Sequence, residues 1–204
     1  MKNSTSLKIT GGEFRGRVIK APATSVTHPM GSREKMALFN ALISLKGPLE
    51  GVQNALDICC GSGALGLEAL SRGARHAVFV DNNVSVLQTV KDNISALGVS
   101  DRAEVIRTDL SKIASTSVSW QKYDLILVDP PYDNFPNTSA TSTPNSSASA
   151  GLASPLNALV DLLNDDGILV LSHPSTIVPA AVFPNLTLLS TKSYASANLS
   201  FYKK

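Results

Sequence analysis

Cysteine is nearly absent from this chain of 204 residues: there are only Cys59 and Cys60, and they are adjacent. That spacing excludes a structural zinc site and a Cys-x-x-Cys redox pair. Both are expected as small, buried apolar residues in a turn after a strand, with a reactive thiol at Cys60 as the sharper reading. Histidine is scarce too, with three in the chain. His76 and His173 have no partner at ligand spacing, so no metal is expected and both read as structural, His173 at a strand end near the expected pocket rim. Long apolar runs are missing, and none follows Met1-Lys2-Asn3-Ser4-Thr5-Ser6. A cytoplasmic protein without a membrane partner is therefore expected, in which triplets such as Asn93-Ile94-Ser95 are not glycosylation acceptors.

Net charge is small as well, +2 overall, which alone argues against a nucleic-acid partner. Its distribution argues the other way. Residues 1–40 hold Lys2, Lys8, Arg15, Arg17, Lys20, Arg33 and Lys35 against Glu13 and Glu34, leaving the remainder mildly acidic. A basic amino-terminal arm beside an acidic body is an electrostatic handle for RNA phosphates. Leu7 to Thr10, Gly11-Gly12 and Phe14 to Ile19 read as a β-hairpin presenting Arg15 and Arg17; the plainer reading is an edge hairpin that uses charge against aggregation. Residues 134–155 lack any charged side chain and are dominated by Ser, Thr, Asn, Ala and Pro. Such a low-complexity insertion cannot bury enough surface to offset ordering entropy and is expected as a loop, either a lid over the substrate site or an inert insertion.

Hydrophobic residues make up 43% of the chain, enough for one domain with its own core, expected as a monomer. Helical spacing of Met36, Phe39, Leu42 and Ile43 predicts a helix from Ser32 to Lys46, with further helices over 63–73, 84–97 and 154–164. Apolar runs predict strands at 55–58, 76–80, 103–107, 123–128, 167–172, 186–192 and 197–203. Strands alternating with helices imply a mostly parallel sheet covered on both faces, and the last two strands, with no helix between them, an antiparallel pair at its edge.

The chemistry lies at the strand ends. Asp57-Ile58-Cys59-Cys60-Gly61-Ser62-Gly63-Ala64-Leu65-Gly66 is a strand, a glycine turn and a helix start. Gly61 and Gly63 let the backbone approach a ligand, and Gly66 lets the helix pack on the sheet. Asp81 ends the next strand, about twenty residues on, where a carboxylate takes ribose hydroxyls. The same glycines satisfy a dinucleotide fingerprint. Two later features favour S-adenosylmethionine. Asp109, followed by Leu110, places an acid where an adenine amine would lie, although a helix N-cap is its plainer role. Asp129-Pro130-Pro131-Tyr132 then closes the fourth strand. A nucleobase amine is a poor nucleophile because its lone pair is delocalised. The Asp129 carboxylate and the Pro130 carbonyl would accept its two hydrogens, the prolines would stiffen the turn, and Tyr132 would stack on the base.

Gly11-Gly12-Glu13-Phe14-Arg15-Gly16-Arg17, His28-Pro29-Met30 with Arg33, the run from Gly61 to Ala74, Asp129-Pro130-Pro131-Tyr132 and Leu199-Ser200-Phe201-Tyr202 together resemble the bacterial RsmD family. The resemblance implies a Rossmann-like class I S-adenosylmethionine-dependent methyltransferase with a seven-stranded sheet. Residues 1–31 would form the hairpin arm and residues 32–204 the methyltransferase domain. The implied substrate is the exocyclic N2 amine of a guanine in small-subunit ribosomal RNA, met as naked RNA or in an assembling subunit. Asp57 would brace the cofactor loop, Gly61 and Gly63 line the methionine side, Asp81 hold the ribose, and Asp109 with Leu110 the adenine. Asp129, Pro130 and Tyr132 would act on the guanine, with Pro131, Arg15, Arg17 and Arg33 on the RNA side. The chain departs from the family pattern at His28 and Met30 (Arg-Pro-Thr), Cys59-Cys60 (Phe-Ala), Asp81 (Glu) and Ala195 (Gly). An amine methyltransferase for adenine or cytosine, and a non-catalytic RNA-binding assembly factor, are the rival readings.

Overall fold

The computed structural model describes residues 7–22, 30–115, 120–132, 135, 150–178, 182–194 and 197–204. The chain begins with a short antiparallel pair, β1 (Leu7–Lys8) and β2 (Val18–Ile19), and then α1 (Ser32–Lys46). The main unit follows as β3 (Asn54–Ile58), α2 (Ala64–Ser71), β4 (His76–Asp81), α3 (Val84–Leu97), β5 (Ala103–Arg107), a 3-10 turn (Leu110–Ser115), β6 (Tyr123–Val128), α4 (Ala150–Leu162), β7 (Leu163–His173), β8 (Thr187–Ser193) and β9 (Asn198–Lys203).

The strands form one seven-stranded sheet in the order β5-β4-β3-β6-β7-β9-β8. β3 to β7 run parallel, and β9 runs antiparallel to both its neighbours. Side-chain alternation divides the core between the two faces of the sheet. Ala55, Ala77, Phe79, Leu125 and Leu127 pack with α1, α2 and α3, whereas Leu56, Ile58, Val78, Ile126 and Val128 pack with α4. Burial on both faces is why these strands read as continuous apolar runs.

Three expectations about the chain are corrected. The expected hairpin is present but its regular strands are shorter than expected: β1 pairs with β2 over two residues each, Ile9 N–H donates to Arg17 O at 3.0 Å and Gly16 N–H to Ile9 O at 2.9 Å next to them, and towards the tip the N–H groups of Glu13 and Phe14 go to α2, donating to Ser71 O at 2.7 Å and Ser71 Oγ at 2.9 Å. Gly12 has φ +76°, and a Cβ there would lie 1.8 Å from Ser71 O, so the close approach requires glycine. Second, α4 begins at Ala150, inside the stretch read as an insertion loop, and β7 follows it directly from Leu163, which pairs with Tyr123. His28, Pro29, Ala195 and the greater part of residues 134–155 lie outside the described residues.

The third correction concerns Lys35, counted among the basic groups available to RNA. It is 2% exposed, with Nζ 3.2 Å from Glu68 and donating to Lys8 O. Glu68, fully buried on α2, also accepts from Thr10 N at 2.8 Å, Thr10 Oγ1 at 2.7 Å and Arg72 Nε at 2.8 Å. Leu7, Ile9 and Ile19 join the same core face as α1 and α2. Lys8, Arg15, Arg17, Lys20 and Arg33 are exposed, with the Arg17 guanidinium donating to Ala96 O and Lys20 paired with Asp92.

Candidate active site

The carboxyl ends of β3, β4, β5 and β6 converge on one cleft of about 210 Å³. β3 lies between β4 and β6, where the strand order reverses, the place at which open parallel sheets bind ligands. Cys59, Gly61, Asp81, Asp109, Leu110, Asp129 and Pro131 border it, so residues 70 positions apart in the chain meet here. Gly63 does not border the cleft. Its Cα faces Phe79 and Val90, and its φ of +76° starts α2.

The first loop is shaped by backbone conformation. Cys59 has φ +58°, the one non-glycine residue with positive φ among the described residues. Gly61 follows at φ +53° with open space where a Cβ would stand. Its N–H donates to Asp81 Oδ2 at 3.2 Å, tying the loop to the end of β4. Asp57, 1% exposed, accepts from Gly66 N at 2.8 Å through Oδ2. Its Oδ1 has no hydrogen-bond partner among the described residues. Burial holds this carboxyl well above the usual range, and the negative charges of Asp129 and Asp81 add to the effect. At Gly66 an added Cβ would stand 2.4 Å from Phe79 Cε1, so glycine is needed to seat α2 on the sheet.

Asp81 Oδ1 accepts from Asn83 N at 3.0 Å, and Asn83 caps α3 by accepting from Ser85 N. Asp109 combines two positions: Oδ1 accepts from Ser111 N at the start of the 3-10 turn, while Oδ2 accepts from Asn82 Nδ2 at 2.8 Å. The Ser111 and Asn82 donors hold its carboxyl below the usual range. Burial, reinforced by the Asp81 carboxylate, pushes the Cys59 thiol up, and burial with Asp57 does the same to Cys60. Cys60 is 7% exposed in the core, so Cys59 is the thiol that meets the cleft.

At the end of β6 the Asp129 N–H donates to Ile58 O at 3.3 Å, joining the turn to β3. Burial raises the Asp129 carboxyl above the usual value, the Ser172 hydroxyl opposes that, and the Glu34 charge adds to it. The Tyr132 hydroxyl lies 3.1 Å from Ser172 Oγ, and its half-buried ring meets Phe135 edge-on at 6.3 Å. Burial also raises the Tyr132 hydroxyl, with Asp129 and Glu34 contributing. Glu34, which accepts from Gly31 N at the start of α1, is thus the group of that helix whose charge reaches the Asp129 turn. His173 is fully buried, with Nδ1 at Pro174 O and Nε2 at Ser200 Oγ, both 2.8 Å, and is structural. Arg15 and Arg33 are exposed outside the cleft. Sequence reasoning missed Cys59, Asn82, Thr108, Glu34 and Ser172. Asn82 and Thr108 are signalled by their position beside strand-terminal acids; Ser172 and Glu34 carry no local signal.

The residues present fit S-adenosylmethionine. Asp57 Oδ1 is a buried acceptor without a donor among the described residues, suited to a cationic ligand, and Gly61, on the cleft itself, has open space where a Cβ would stand. The side chains of Asp81 and Asp109 line the far part of the cleft with acceptors, and Leu110, Val86 and Pro131 supply apolar walls. Among the described residues no group of three His, Cys, Asp or Glu is arranged to hold a metal ion, and no helix is long and apolar enough to cross a membrane.

A family model described as Conserved hypothetical protein 95 matches residues 7–203. YlbH of Bacillus subtilis (strain 168), named as a candidate rRNA methyltransferase, is 29% identical over 202 residues, covering 97% of this chain and 99% of that one. Ribosomal RNA small subunit methyltransferase D of Escherichia coli (strain K12) is 33% identical over 129 residues, 63% of this chain and 62% of that one. Among solved structures, a candidate methyltransferase of Escherichia coli, yhhF, superimposes with a TM-score of 0.74 at 26% identity, covering 98% of each chain. The fold is the Rossmann-like class I methyltransferase fold.

Proposed function

The chain belongs to the family described as Conserved hypothetical protein 95, the RsmD family of small-subunit ribosomal RNA methyltransferases, and on that premise we propose that it methylates the exocyclic N2 amine of a guanine in that RNA, using S-adenosylmethionine. The observation that carries this reading is the meeting of Asp129 and Pro131, from the turn Asp129-Pro130-Pro131-Tyr132, with Asp81 and Asp109 at one cleft, while Pro130 and Tyr132 do not border it. It supports a nucleoside-bearing cofactor lying beside a device for presenting a planar amine.

S-adenosylmethionine, when bound, supplies an already activated methyl group. Asp129 accepts one amine hydrogen and the Pro130 carbonyl the other, which turns the nitrogen lone pair toward the cleft. Tyr132 offers a ring face to the base, so the guanine is met unstacked, in a loop or single-stranded segment. As positive charge develops on the nitrogen, the Asp129 carboxylate stabilises it. Burial raises the proton affinity of that carboxylate, fitting it, with water as the alternative, to take the proton lost afterwards. Arg15, Arg17 and Arg33, exposed on the arm and α1, would hold RNA phosphates.

The test is incorporation of labelled methyl from S-adenosylmethionine into undermethylated small ribosomal subunits, followed by nucleoside digestion. Label is expected in N2-methylguanosine and is expected to vanish in Asp129→Ala, with cofactor affinity within about twofold of the parent because Asp129 acts on the base. Label in a methylated adenosine or cytidine would transfer the reading to another base; no label despite cofactor binding would favour the assembly-factor reading.

A further inference from the structure

We propose that Asn93, on α3, is a positioning residue whose one side-chain amide seats both the cofactor loop and the basic arm. Its role presupposes the reading of the cleft as a cofactor site, although Asn93 itself does not border that cleft. Asn93 is 1% exposed and shares the buried face of the helix with Val90, Ile94 and Leu97. An amide there lowers helix propensity and is costly to bury unless its hydrogen-bonding groups are met. They are met three times. Oδ1 accepts from Lys20 N at 2.8 Å, and Nδ2 donates to Lys20 O at 3.0 Å and to Ser62 O at 2.9 Å. The Lys20 N–H can meet only the oxygen and the two carbonyls only the NH₂, so the planar group has a single orientation.

Both segments are gripped at points that matter to the site. Ser62 stands between Gly61, which borders the cleft, and Gly63, which starts α2. The loop is tied along its length: Gly61 N donates to Asp81 Oδ2 at 3.2 Å, Gly63 N donates to Cys60 O at 2.7 Å, and Ser62 O accepts from Asn93. On the arm, Asn93 exchanges two bonds with the backbone of Lys20, directly after β2, as a residue of a neighbouring strand would. Nearby on α3, Ala96 O accepts from the Arg17 guanidinium at 2.8 Å, and Asp92 pairs with Lys20 Nζ at 3.0 Å. Those two contacts are exposed to solvent and contribute little, whereas the loss of the buried amide leaves backbone groups unmet.

Because both donors sit on one planar nitrogen, the carbonyls of Ser62 and Lys20 are held in a fixed relation to each other and to α3. Removal of the amide strands three backbone groups at once: Ser62 O on the loop, and Lys20 N and O on the arm. Each must then turn to water, which draws the loop and the second strand of the arm away from the helix. The loop has to be reseated when the cofactor binds, so affinity falls although no cofactor contact is altered. The tip of the arm is held independently, through the Glu13 and Phe14 bonds to Ser71, and provides an internal reference.

The experiment compares the parent with Asn93→Leu, which keeps a side chain of similar size without hydrogen-bonding groups, and with Asp92→Ala, which removes the surface carboxylate bonded to Lys20 Nζ. S-adenosylmethionine affinity is measured by calorimetry on the whole protein, and amide hydrogen exchange is followed residue by residue by NMR. Asn93→Leu is expected to weaken cofactor binding about tenfold, the equivalent of one buried carbonyl left unmet. Exchange is expected to be at least about tenfold faster at the Lys20, Gly61 and Gly63 amides, with the Glu13 and Phe14 amides within about twofold of the parent. Asp92→Ala is expected to leave cofactor affinity within about twofold. The parent alone gives a readout that needs no variant: saturating S-adenosylmethionine is expected to slow Lys20 exchange at least about threefold while Glu13 and Phe14 stay within about twofold. Unchanged cofactor affinity in Asn93→Leu, equal acceleration at all of these amides, as a general loss of stability would give, or no selective slowing at Lys20 in the parent would overturn the proposal. A parent that binds S-adenosylmethionine with the expected exchange pattern but methylates no RNA in undermethylated small subunits would instead overturn the functional reading and leave the seating by Asn93 standing.

Discussion

Replacing Glu68 with glutamine should unfasten the amino-terminal arm, and the structure sets the size of the effect. The carboxylate is fully buried and accepts from Thr10 N, Thr10 Oγ1 and Arg72 Nε, with Lys35 Nζ at 3.2 Å. Glutamine keeps one acceptor oxygen but turns an NH₂ toward groups that are themselves donors. It also leaves Lys35, 3% exposed, and Arg72, 11% exposed, without their counter-charge. Breaking a buried pair from one side costs about 3–5 kcal/mol. In a protein of this size that corresponds to a fall in Tm of about 6–20 °C. Scanning calorimetry reads the shift, and hydrogen exchange at the Glu13 and Phe14 amides, which are bonded to Ser71, reads the arm's release. Lys35→Met should cost less, since Glu68 keeps Arg72 and both Thr10 donors and the lost cation is one whose burial already lowers its proton affinity. A Tm for Glu68→Gln within about 2 °C of the parent, which for this size is under about 1 kcal/mol, would refute the argument, as would equal shifts for the two variants.

The pH dependence has a definite sign. Burial alone would raise the Glu68 carboxyl, but the Thr10 donors, Lys35 and Arg72 hold it below its usual 4.5. Its folded value is thus depressed. The linked stability is complete above that usual value and is lost as pH falls through the folded one, so acid should release the arm in the parent but add little to the loss already present in Glu68→Gln.

Two further outcomes follow from the cofactor loop. Gly66→Ala gains about 1 kcal/mol of helix propensity but drives a methyl to 2.4 Å from Phe79 Cε1 and 3.1 Å from Asp57 Oδ2. Overpacking of about 1–3 kcal/mol should prevail, lowering the denaturation midpoint and weakening S-adenosylmethionine binding; an unchanged midpoint with intact binding would contradict it. Binding of the cationic cofactor should also ionise Asp57, whose carboxyl burial holds high. Affinity should therefore rise with pH from the usual 3.8 up to that raised value, with proton release in calorimetry across buffers of different ionisation enthalpy, and absence of released protons would contradict it.

The sheet was legible because β3, β4, β6 and β7 are buried on both faces and so appear as unbroken apolar runs. The boundary between α4 and β7 was not. Asn164-Asp165-Asp166-Gly167 has turn chemistry, yet Leu163 pairs with Tyr123, while Lys203 and Lys204 hold Asp166 and Asp165 from the neighbouring strand. Those partners lie about forty residues away, beyond any local window. The hairpin of the arm was legible in its alternating residues, but not where its tip goes: the N–H groups of Glu13 and Phe14 bond to Ser71, about sixty residues on. At the cleft, strand-terminal acids announced themselves by position. Ser172 and Glu34 reach the site from elements that carry no motif, through tertiary packing alone.

The glycine pair of the arm and the glycine loop of the cofactor cleft meet in one short helix. α2 carries the Gly61 loop at its amino end and Ser71 at its carboxyl end, and its eight residues span only about 12 Å. Gly11 and Gly12 are pressed against Arg72 and Ser71, where any Cβ would collide, and Glu68 binds the same arm from the middle of the helix. Exposed Arg15 is thereby held at a fixed distance from the loop that would seat the cofactor. A basic arm tethered by a flexible linker would attract RNA equally well but would not orient it. In the proposed reaction, an arm docked through backbone bonds and a buried carboxylate would convert a long-range attraction into a defined approach, as delivering one base to a cleft of about 210 Å³ demands.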